Sequence, residues 1–330
     1  MPPSRPTDHR IDLVQDHKIP GQTLSRLSPA EDKELQEQLS SLEKLGFIEP
    51  SVSQFGSGVP KPNGKFRLCV DYRPLNAITV ADVYPLPRID EMIDKAGGSR
   101  WFSKMDLHAG FHQIRVHEAH VERTAFKTKY GTYQFKVMPF GLCNAPATFQ
   151  RTMDFVLQDL RGMVGAYVDD ILTGTDTLED MVFALREVCV RLAKQKLYAN
   201  PEKCCFGQSE VEYCGFIIWR NGIRPQPRKL MAVHVWPQFQ NSTDVKSFLG
   251  LCGFYQRFVA DYATVATPLT NLMGKKAVWK WGGERRTCFP GVEGQVVAIP
   301  GADGAELQAA DDLAHGRIGC GSWGDVVTEG

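Results

Sequence analysis

One stretch, Met163-Val164-Gly165-Ala166-Tyr167-Val168-Asp169-Asp170-Ile171-Leu172-Thr173, constrains the chain most. Two carboxylates stand side by side between two runs of apolar and β-prone residues. Two such runs split by a short polar pair read as a β-hairpin with the acidic pair at its tip. Adjacent like charges repel, and burial beside a core hairpin makes the repulsion costlier. A divalent cation removes that cost. Hard oxygen ligands favour Mg²⁺, which takes one or two carboxylates and leaves the rest of its shell to water and phosphate oxygens. The bland alternative is a solvated Asp-Asp turn, and so short a motif does not by itself choose between the two.

The totals bound what surrounds that hairpin. A chain of 330 residues is long enough for two or three domains of about 100–200 residues each. There is no run of about 18 apolar residues, so no transmembrane helix and no membrane partner are expected. The start, Met1-Pro2-Pro3-Ser4-Arg5-Pro6, lacks the apolar segment of a secretory signal. Nine cysteines is an odd number, and Cys69, Cys143, Cys189 and Cys252 lie inside hydrophobic patterns. That suits reduced thiols in an intracellular protein, with particle, cytoplasm and nucleus left open. The formal net charge of zero conceals an asymmetry: residues 282–330 hold eight acidic and three basic residues, so the remainder carries a net +5. A mildly basic body permits nucleic-acid binding without requiring it.

In chain order, residues 1–27 read as an extended lead-in. Ser28-Pro29-Ala30-Glu31 is a helix start with an N-cap, a proline at the first position and a capping-box glutamate. Leu35, Leu39, Leu42 and Leu45 form its apolar stripe, and Gly46 ends it. Lys61-Pro62-Asn63-Gly64-Lys65 is a tight basic turn, followed by an alternating strand over Phe66–Tyr72. Lys61, Lys65 and Arg67 thus sit on or beside one hairpin, either as a solvated turn or as donors for phosphates. Trp101–Leu107 reads as a strand that delivers Asp106, a third carboxylate or a helix cap. Thr124–Met138 reads as a hairpin around Tyr130-Gly131, and Asn144-Ala145-Pro146 opens a helix striped by Phe149, Met153, Val156 and Leu160. Thr177 caps a further helix striped by Leu178, Leu185 and Leu192. Short strands fit Glu210–Ile218, and Asp244–Phe258 reads as helical. Residues 282–330 contain eleven of the thirty glycines and no lysine, so no fold is expected of them.

Taken together, the spaced words resemble the reverse transcriptase of gypsy-type LTR retrotransposons. They are Phe66-Arg67-Leu68-Cys69-Val70-Asp71-Tyr72-Arg73-Pro74-Leu75-Asn76, Tyr84-Pro85-Leu86-Pro87-Arg88 and Phe102-Ser103-Lys104-Met105-Asp106-Leu107. Val137-Met138-Pro139-Phe140-Gly141-Leu142-Cys143-Asn144-Ala145-Pro146, Tyr167-Val168-Asp169-Asp170-Ile171-Leu172 and Ser247-Phe248-Leu249-Gly250-Leu251 follow in family order. The likeness runs from about residue 9 to about residue 281. It implies an α+β right-hand polymerase fold with an antiparallel palm sheet: lead-in and helix over 1–48, fingers and palm over 49–223, thumb and start of a connection over 224–281, and a foreign tail over 282–330. It implies RNA-directed DNA polymerase activity on an RNA or DNA template with a primer. Asp106, Asp169 and Asp170 match the carboxylates that hold two Mg²⁺ ions, with Mn²⁺ able to replace them. Lys61, Lys65, Arg67, Phe111 and Phe140 match groups around the incoming dNTP, Phe111 beside the sugar. Tyr167, Tyr213 and Gly215 match primer or template contacts. A parent polyprotein would carry protease, RNase H and integrase, and a homodimer is one assembly the family allows.

Two departures accompany the likeness. Gly56-Ser57-Gly58-Val59-Pro60 stands about three residues short of the strand that usually supports the fingers hairpin, which favours the rival reading of an inactive remnant that still binds nucleic acid. After Trp281 the family's connection and RNase H region does not continue. The tail is therefore expected to be out of the family's frame and disordered, and it is too short to carry RNase H activity, the remaining alternative. The family's usual Leu-Gly-His is replaced by Cys214-Gly215-Phe216 at the primer turn.

Overall fold

The acidic hairpin forms, and it lies inside a larger antiparallel sheet. In the computed structural model, which describes residues 1–16, 27–58, 68–160, 162–234, 236–237 and 239–274, the chain divides into two compact units, Met1–Val211 and Glu212 onward. The first unit opens with helix α1 (Pro29–Lys44) and strand β1 (Ile48–Pro50). Helices α2 (Arg73–Ile78) and α3 (Ile89–Ala96) and strand β2 (Trp101–Asp106) follow. Next come β3 (Phe126–Thr128), β4 (Gly131–Phe135), helix α4 (Ala145–Leu157), β5 (Val164–Tyr167) and β6 (Asp170–Thr175). Helix α5 (Leu178–Lys194) and β7 (Cys205–Gln208) complete it.

Two sheets organise this unit. One runs β5-β6-β2-β7 and the other β1-β4-β3, all pairs antiparallel. Alternation along β2 and β6 sends the paired Met105 and Ile171 into the core, where they meet Phe149, Met153 and Val156 of α4 and Val188 and Leu192 of α5. Each such side chain is worth about 1.5–3 kcal/mol when fully buried, so the α4 and α5 faces hold the sheet from one side. Leu35 and Leu39 of α1 pack with Ile48, Phe126, Phe135 and Val137 in a second, smaller core.

The local signals of α1 act as written. Ser28 Oγ accepts from the Glu31 amide, Glu31 answers on the Ser28 amide, and Gly46 takes a left-handed φ of +70°, each a recognised terminator or starter. Four expectations shift. Leu45 is exposed, because it caps the helix rather than extending its stripe. In α5 the buried face is Met181, Ala184, Val188 and Leu192, whereas Leu178 is exposed. A seven-residue spacing drifts around a 3.6-residue helix, and the three- and four-residue spacing wins. Leu68–Val70 carry no regular structure, and Asp71 makes a single bridge to Gly58 before α2 begins. Asp71 Oδ1 accepts from the Arg73 amide, and Pro74 fixes the helix start, so a turn replaces the described part, 68–72, of the strand expected over 66–72, whose first two residues lie outside the described residues. Cys69, Cys143 and Cys189 are exposed and only Cys252 is buried, so three of these four thiols sit outside the hydrophobic patterns that surround them in sequence.

The lead-in is pinned. Arg5 is buried and donates from Nη1 to Gln113 O (2.8 Å) and from Nη2 to Gln195 O. His9 is 1% exposed, its amide donates to Arg115 O, and its Nδ1 lies 2.8 Å from Thr148 Oγ1. These contacts turn residues 1–16 into a strap that joins the loop after β2 to α4.

The second unit carries the sheet β10-β9-β8, formed by β8 (Glu210–Tyr213), β9 (Phe216–Trp219) and β10 (Gly222–Pro225). Helices α6 (Pro227–His234), α7 (Ser242–Gly253) and α8 (Tyr262–Thr270) follow. The expected helix over 244–258 is α7 with an N-terminal capping box at Asn241 and Asp244, then a separate 3-10 turn at Gln256–Phe258. No helix among the described residues is long and apolar enough to cross a membrane. The expected disordered tail lies outside the described residues.

Burial lowers the His9 pKa from 6.5 to about 4, His120 and Arg151 adding to burial and Asp82 opposing it. The unfolded chain therefore binds the extra proton between pH 6.5 and 4, and stability falls as pH falls through that window. His9 is expected to make the protein about 2 kcal/mol less stable at pH 5 than at pH 7. Urea unfolding of the parent and of His9→Gln at both pH values checks this: the variant should lose that share of the pH dependence.

Candidate active site

Register brings the carboxylates together. Asp106, the last residue of β2, pairs directly with Asp170, the first residue of β6. Tyr167 pairs with Asp170 across the β5–β6 hairpin, so the turn is Val168-Asp169. Three acidic residues thus occupy one end of the β5-β6-β2-β7 sheet. The Leu107 amide donates to Asp169 O (3.1 Å) and the Asn200 amide to Asp106 O (2.8 Å), which fixes the backbone on both sides of Asp106.

The turn is strained. Val168 has φ +54°, a region that β-branched residues rarely adopt. Its amide donates to Gln150 Oε1 (2.9 Å), while Gln150 Nε2 donates to Ala166 O (3.0 Å) and Asp154 Oδ1 (3.2 Å). Gln150 is 1% exposed, and a buried amide that satisfies several groups on one turn is costly to replace. Asp154 in turn accepts from the Tyr84 hydroxyl (2.7 Å). Gly110 supplies room on the other side: a Cβ there would lie 3.1 Å from Asp169 Cβ and from Phe149.

Charge is unevenly compensated. Lys104 Nζ lies 3.0 Å from Asp170 Oδ1, and Lys203 Nζ lies 3.6 Å from Asp106 Oδ1. Burial, then the Asp170 and Asp106 carboxylates, raises the Asp169 pKa, with a backbone hydrogen bond and Lys203 acting against them. Among the described residues no group of three His, Cys, Asp or Glu side chains closes into a metal-holding arrangement. The donor set still fits a hard divalent cation: three carboxylates, no sulfur or imidazole, and like-charge repulsion that a cation would relieve.

Around this end of the sheet, Phe111 stands edge-on to Phe140 (5.2 Å) and Phe149 (5.7 Å), and His112 stands edge-on to Phe140 (5.2 Å). The Pro139–Leu142 bend is fastened by Asn76, whose Nδ2 donates to Gly141 O (2.8 Å) and whose Oδ1 accepts from the Cys143 amide (2.9 Å). Lys61, Lys65 and Arg67 lie outside the described residues. Tyr167 is half-buried on β5. In the second unit Tyr213 is 0% exposed, so its ring is a packing group. The turn beside it, Cys214-Gly215, has positive φ at both residues, and a Cβ on Gly215 would lie 2.5 Å from Lys229 Nζ. Gln150, Lys104 and Lys203 escaped the sequence reading. An alternating pattern does place Lys104 on the Asp106 face of β2, but Gln150 lies in a helical stripe with nothing local to mark it.

Residues 59–218 match the family model described as reverse transcriptase (RNA-dependent DNA polymerase). The chain is 39% identical over 248 residues to the retrovirus-related Pol polyprotein from transposon opus of Drosophila melanogaster, covering 72% of this chain and 25% of that protein. It is 37% identical over 259 residues to that from transposon 297 of the same fly, covering 76% and 24%. The Tf2-3 transposon polyprotein of Schizosaccharomyces pombe is 29% identical over 303 residues, covering 90% and 23%. The chain thus spans about a quarter of the length of these relatives. In fold it is similar to the foamy viral protease-reverse transcriptase solved with an RNA/DNA hybrid, with a TM-score of 0.79 at 21% identity over 88% of this chain and 40% of that one. The foamy viral protease-reverse transcriptase dRH solved with double-stranded DNA gives 0.77 at 21% identity over 90% of this chain and 53% of that one. The α+β polymerase architecture with antiparallel sheets is therefore the fold, and the chain belongs, through residues 59–218, to the reverse transcriptase family of retrovirus-related Pol polyproteins.

Proposed function

We propose that the chain is an RNA-directed DNA polymerase that adds deoxynucleotides to a primer 3′-hydroxyl on an RNA or DNA template, as part of retrotransposon replication. The observation that carries this reading is the Asp106–Asp170 register pair with Asp169 on the adjoining turn. Nucleotidyl transfer needs positioning and charge neutralisation more than covalent help, and three carboxylates at one sheet end are suited to that task. The solved relative's RNA/DNA hybrid supports a template–primer partner for this chain as well.

In this reading the primer oxygen attacks the α-phosphorus of the dNTP in line, a new P–O bond forms, and diphosphate leaves with the electrons of the bond that breaks. Asp106, Asp169 and Asp170 would hold two Mg²⁺ ions, which when bound lower the pKa of a hydroxyl and offset charge on a leaving oxygen. The Gln150 clamp keeps the strained Val168-Asp169 turn, and so the Asp169 carboxylate, where β2 can meet it. Phe111, braced by Phe149, would stand against C2′ of the sugar and exclude a ribose hydroxyl. Phe140, held by the Asn76-fastened bend, would border the base. Lys61, Lys65 and Arg67 would donate to the triphosphate. Tyr167 and the Cys214-Gly215 backbone would face the primer. Residues 49–223 would form fingers and palm and 224–281 the thumb, a reading that the separate unit from Glu212 onward supports. Free thiols at every described cysteine support an intracellular setting.

Primer extension on an RNA template with Mg²⁺ and deoxynucleotides tests the reading. The parent should extend, and Asp169→Asn and Asp170→Asn should each lower extension by roughly a thousandfold, an order set by the electrostatic share of catalysis. A folded parent that does not extend any primer sinks the proposal. Phe111→Ala should raise the use of ribonucleotides relative to deoxynucleotides by roughly 10- to 100-fold, read as the ratio of kcat/KM for the two substrates.

A further inference from the structure

We propose that Lys104 is a resident cation of the carboxylate cluster, which holds Asp170 and sets how strongly the cluster binds a divalent metal ion. This rests on the polymerase reading but concerns a residue which that reading leaves unused. Along β2, Lys104 and Asp106 are two residues apart and share one face of the sheet. Asp106 lies opposite Asp170 and Lys104 lies opposite Leu172, so Lys104 is the diagonal neighbour of Asp170, within reach of a long side chain. The ammonium takes that reach, at 3.0 Å, with the two side chains 22% and 25% exposed.

The second lysine at the cluster is built differently. Lys203 is 63% exposed, belongs to the 3-10 turn Pro201–Lys203, and stands 3.6 Å from Asp106 Oδ1. A surface ammonium of this kind is screened and can swing into water at little cost. Lys104 leaves from the middle of a core strand whose flanking residues, Ser103 and Met105, are buried. Its stem is confined, its charge is less screened than that of Lys203, and it stays when Lys203 departs.

The consequence is electrostatic. Three ionised carboxylates present a formal charge of −3, and one ammonium that does not leave reduces it to −2. A unit charge held against one of the carboxylates that would bind a dication, at an effective dielectric between that of the protein surface and water, would change affinity by roughly tenfold or more. Lys104 therefore weakens metal binding by the empty-handed protein while holding Asp170 against its neighbours' repulsion. A purely structural ion pair predicts something else: loss of stability on its removal, and no gain in metal affinity.

The test is a Mn²⁺ titration of the full chain, without nucleic acid or nucleotide, in which free Mn²⁺ is read by electron paramagnetic resonance. The expected result is that Lys104→Met binds Mn²⁺ roughly tenfold tighter than the parent, while Lys104→Arg stays within about twofold of it because the charge is retained. Lys203→Met should shift affinity less than Lys104→Met. Added Mn²⁺ should also raise the thermal midpoint of Lys104→Met by more than that of the parent. A folded Lys104→Met whose Mn²⁺ affinity equals or falls below the parent's overturns the proposal. Should that variant not fold, Lys104→Gln, which can still donate to Asp170, takes its place with the same expected and overturning results. Primer extension on the same samples separates the two ideas. An active parent with unmoved Mn²⁺ affinity in the Lys104 variants sinks the resident cation alone. A parent that neither extends primers nor binds Mn²⁺ through Asp169 sinks the polymerase reading and the resident cation with it.

Discussion

Three carboxylates held at one end of a sheet repel one another, and much of the first unit is arranged to hold them there. The β2–β6 register sets Asp106 against Asp170, and a two-residue hairpin turn adds Asp169. That turn places a valine at φ +54°, a cost of order 1–3 kcal/mol for backbone held in a sparsely populated region. Gln150, the Leu107 amide and the missing Cβ of Gly110 meet the turn from three sides. Lys104 and Lys203 offset charge at two of the acids, and Asp169 keeps a raised pKa. Strain and uncompensated charge coincide at a single turn, which is where a site that must receive a cation would store them.

Within the first unit, residues that are far apart in the sequence are tied together by side-chain hydrogen bonds. Asn76, which ends the first word, fastens the bend that presents Phe140. Tyr84 reaches Asp154, and Arg151 reaches Asp82 while its guanidinium lies over the Tyr84 ring at 4.6 Å. Gln113 donates to Tyr198 O and accepts from the Tyr198 amide, so the loop after β2 is tied to the segment that follows α5. The strap of residues 1–16 adds Arg5 and His9 to the same loop and helix. A change at any of these positions would reach the carboxylates through backbone position rather than through contact with them.

Local signals were legible along the chain wherever one short stretch contains its own reason. The capping box at Ser28 and Glu31, the Thr177 cap and the acidic hairpin all read correctly because their hydrogen bonds close within a few residues, and the hairpin expected around Tyr130-Gly131 forms one residue earlier, with Lys129-Tyr130 as its turn. Where the reason was distant, the reading slipped. Over 68–72 the expected strand yields to the Asp71–Arg73 turn, and the lead-in is fastened by residues more than a hundred positions away.

The sequence by itself determined the family, the three acids, the sheet-and-helix pattern and the aromatic residues near the site, since motif order and side-chain period are properties of the chain alone. Tertiary structure decided that Tyr213 is a packing group, that Gln150 holds the turn, and that Lys104 rather than Lys203 is the confined cation. The physical reason is range. Period and capping act over about four residues, whereas burial and charge compensation depend on which strands are paired and in what register, and no local pattern encodes that pairing.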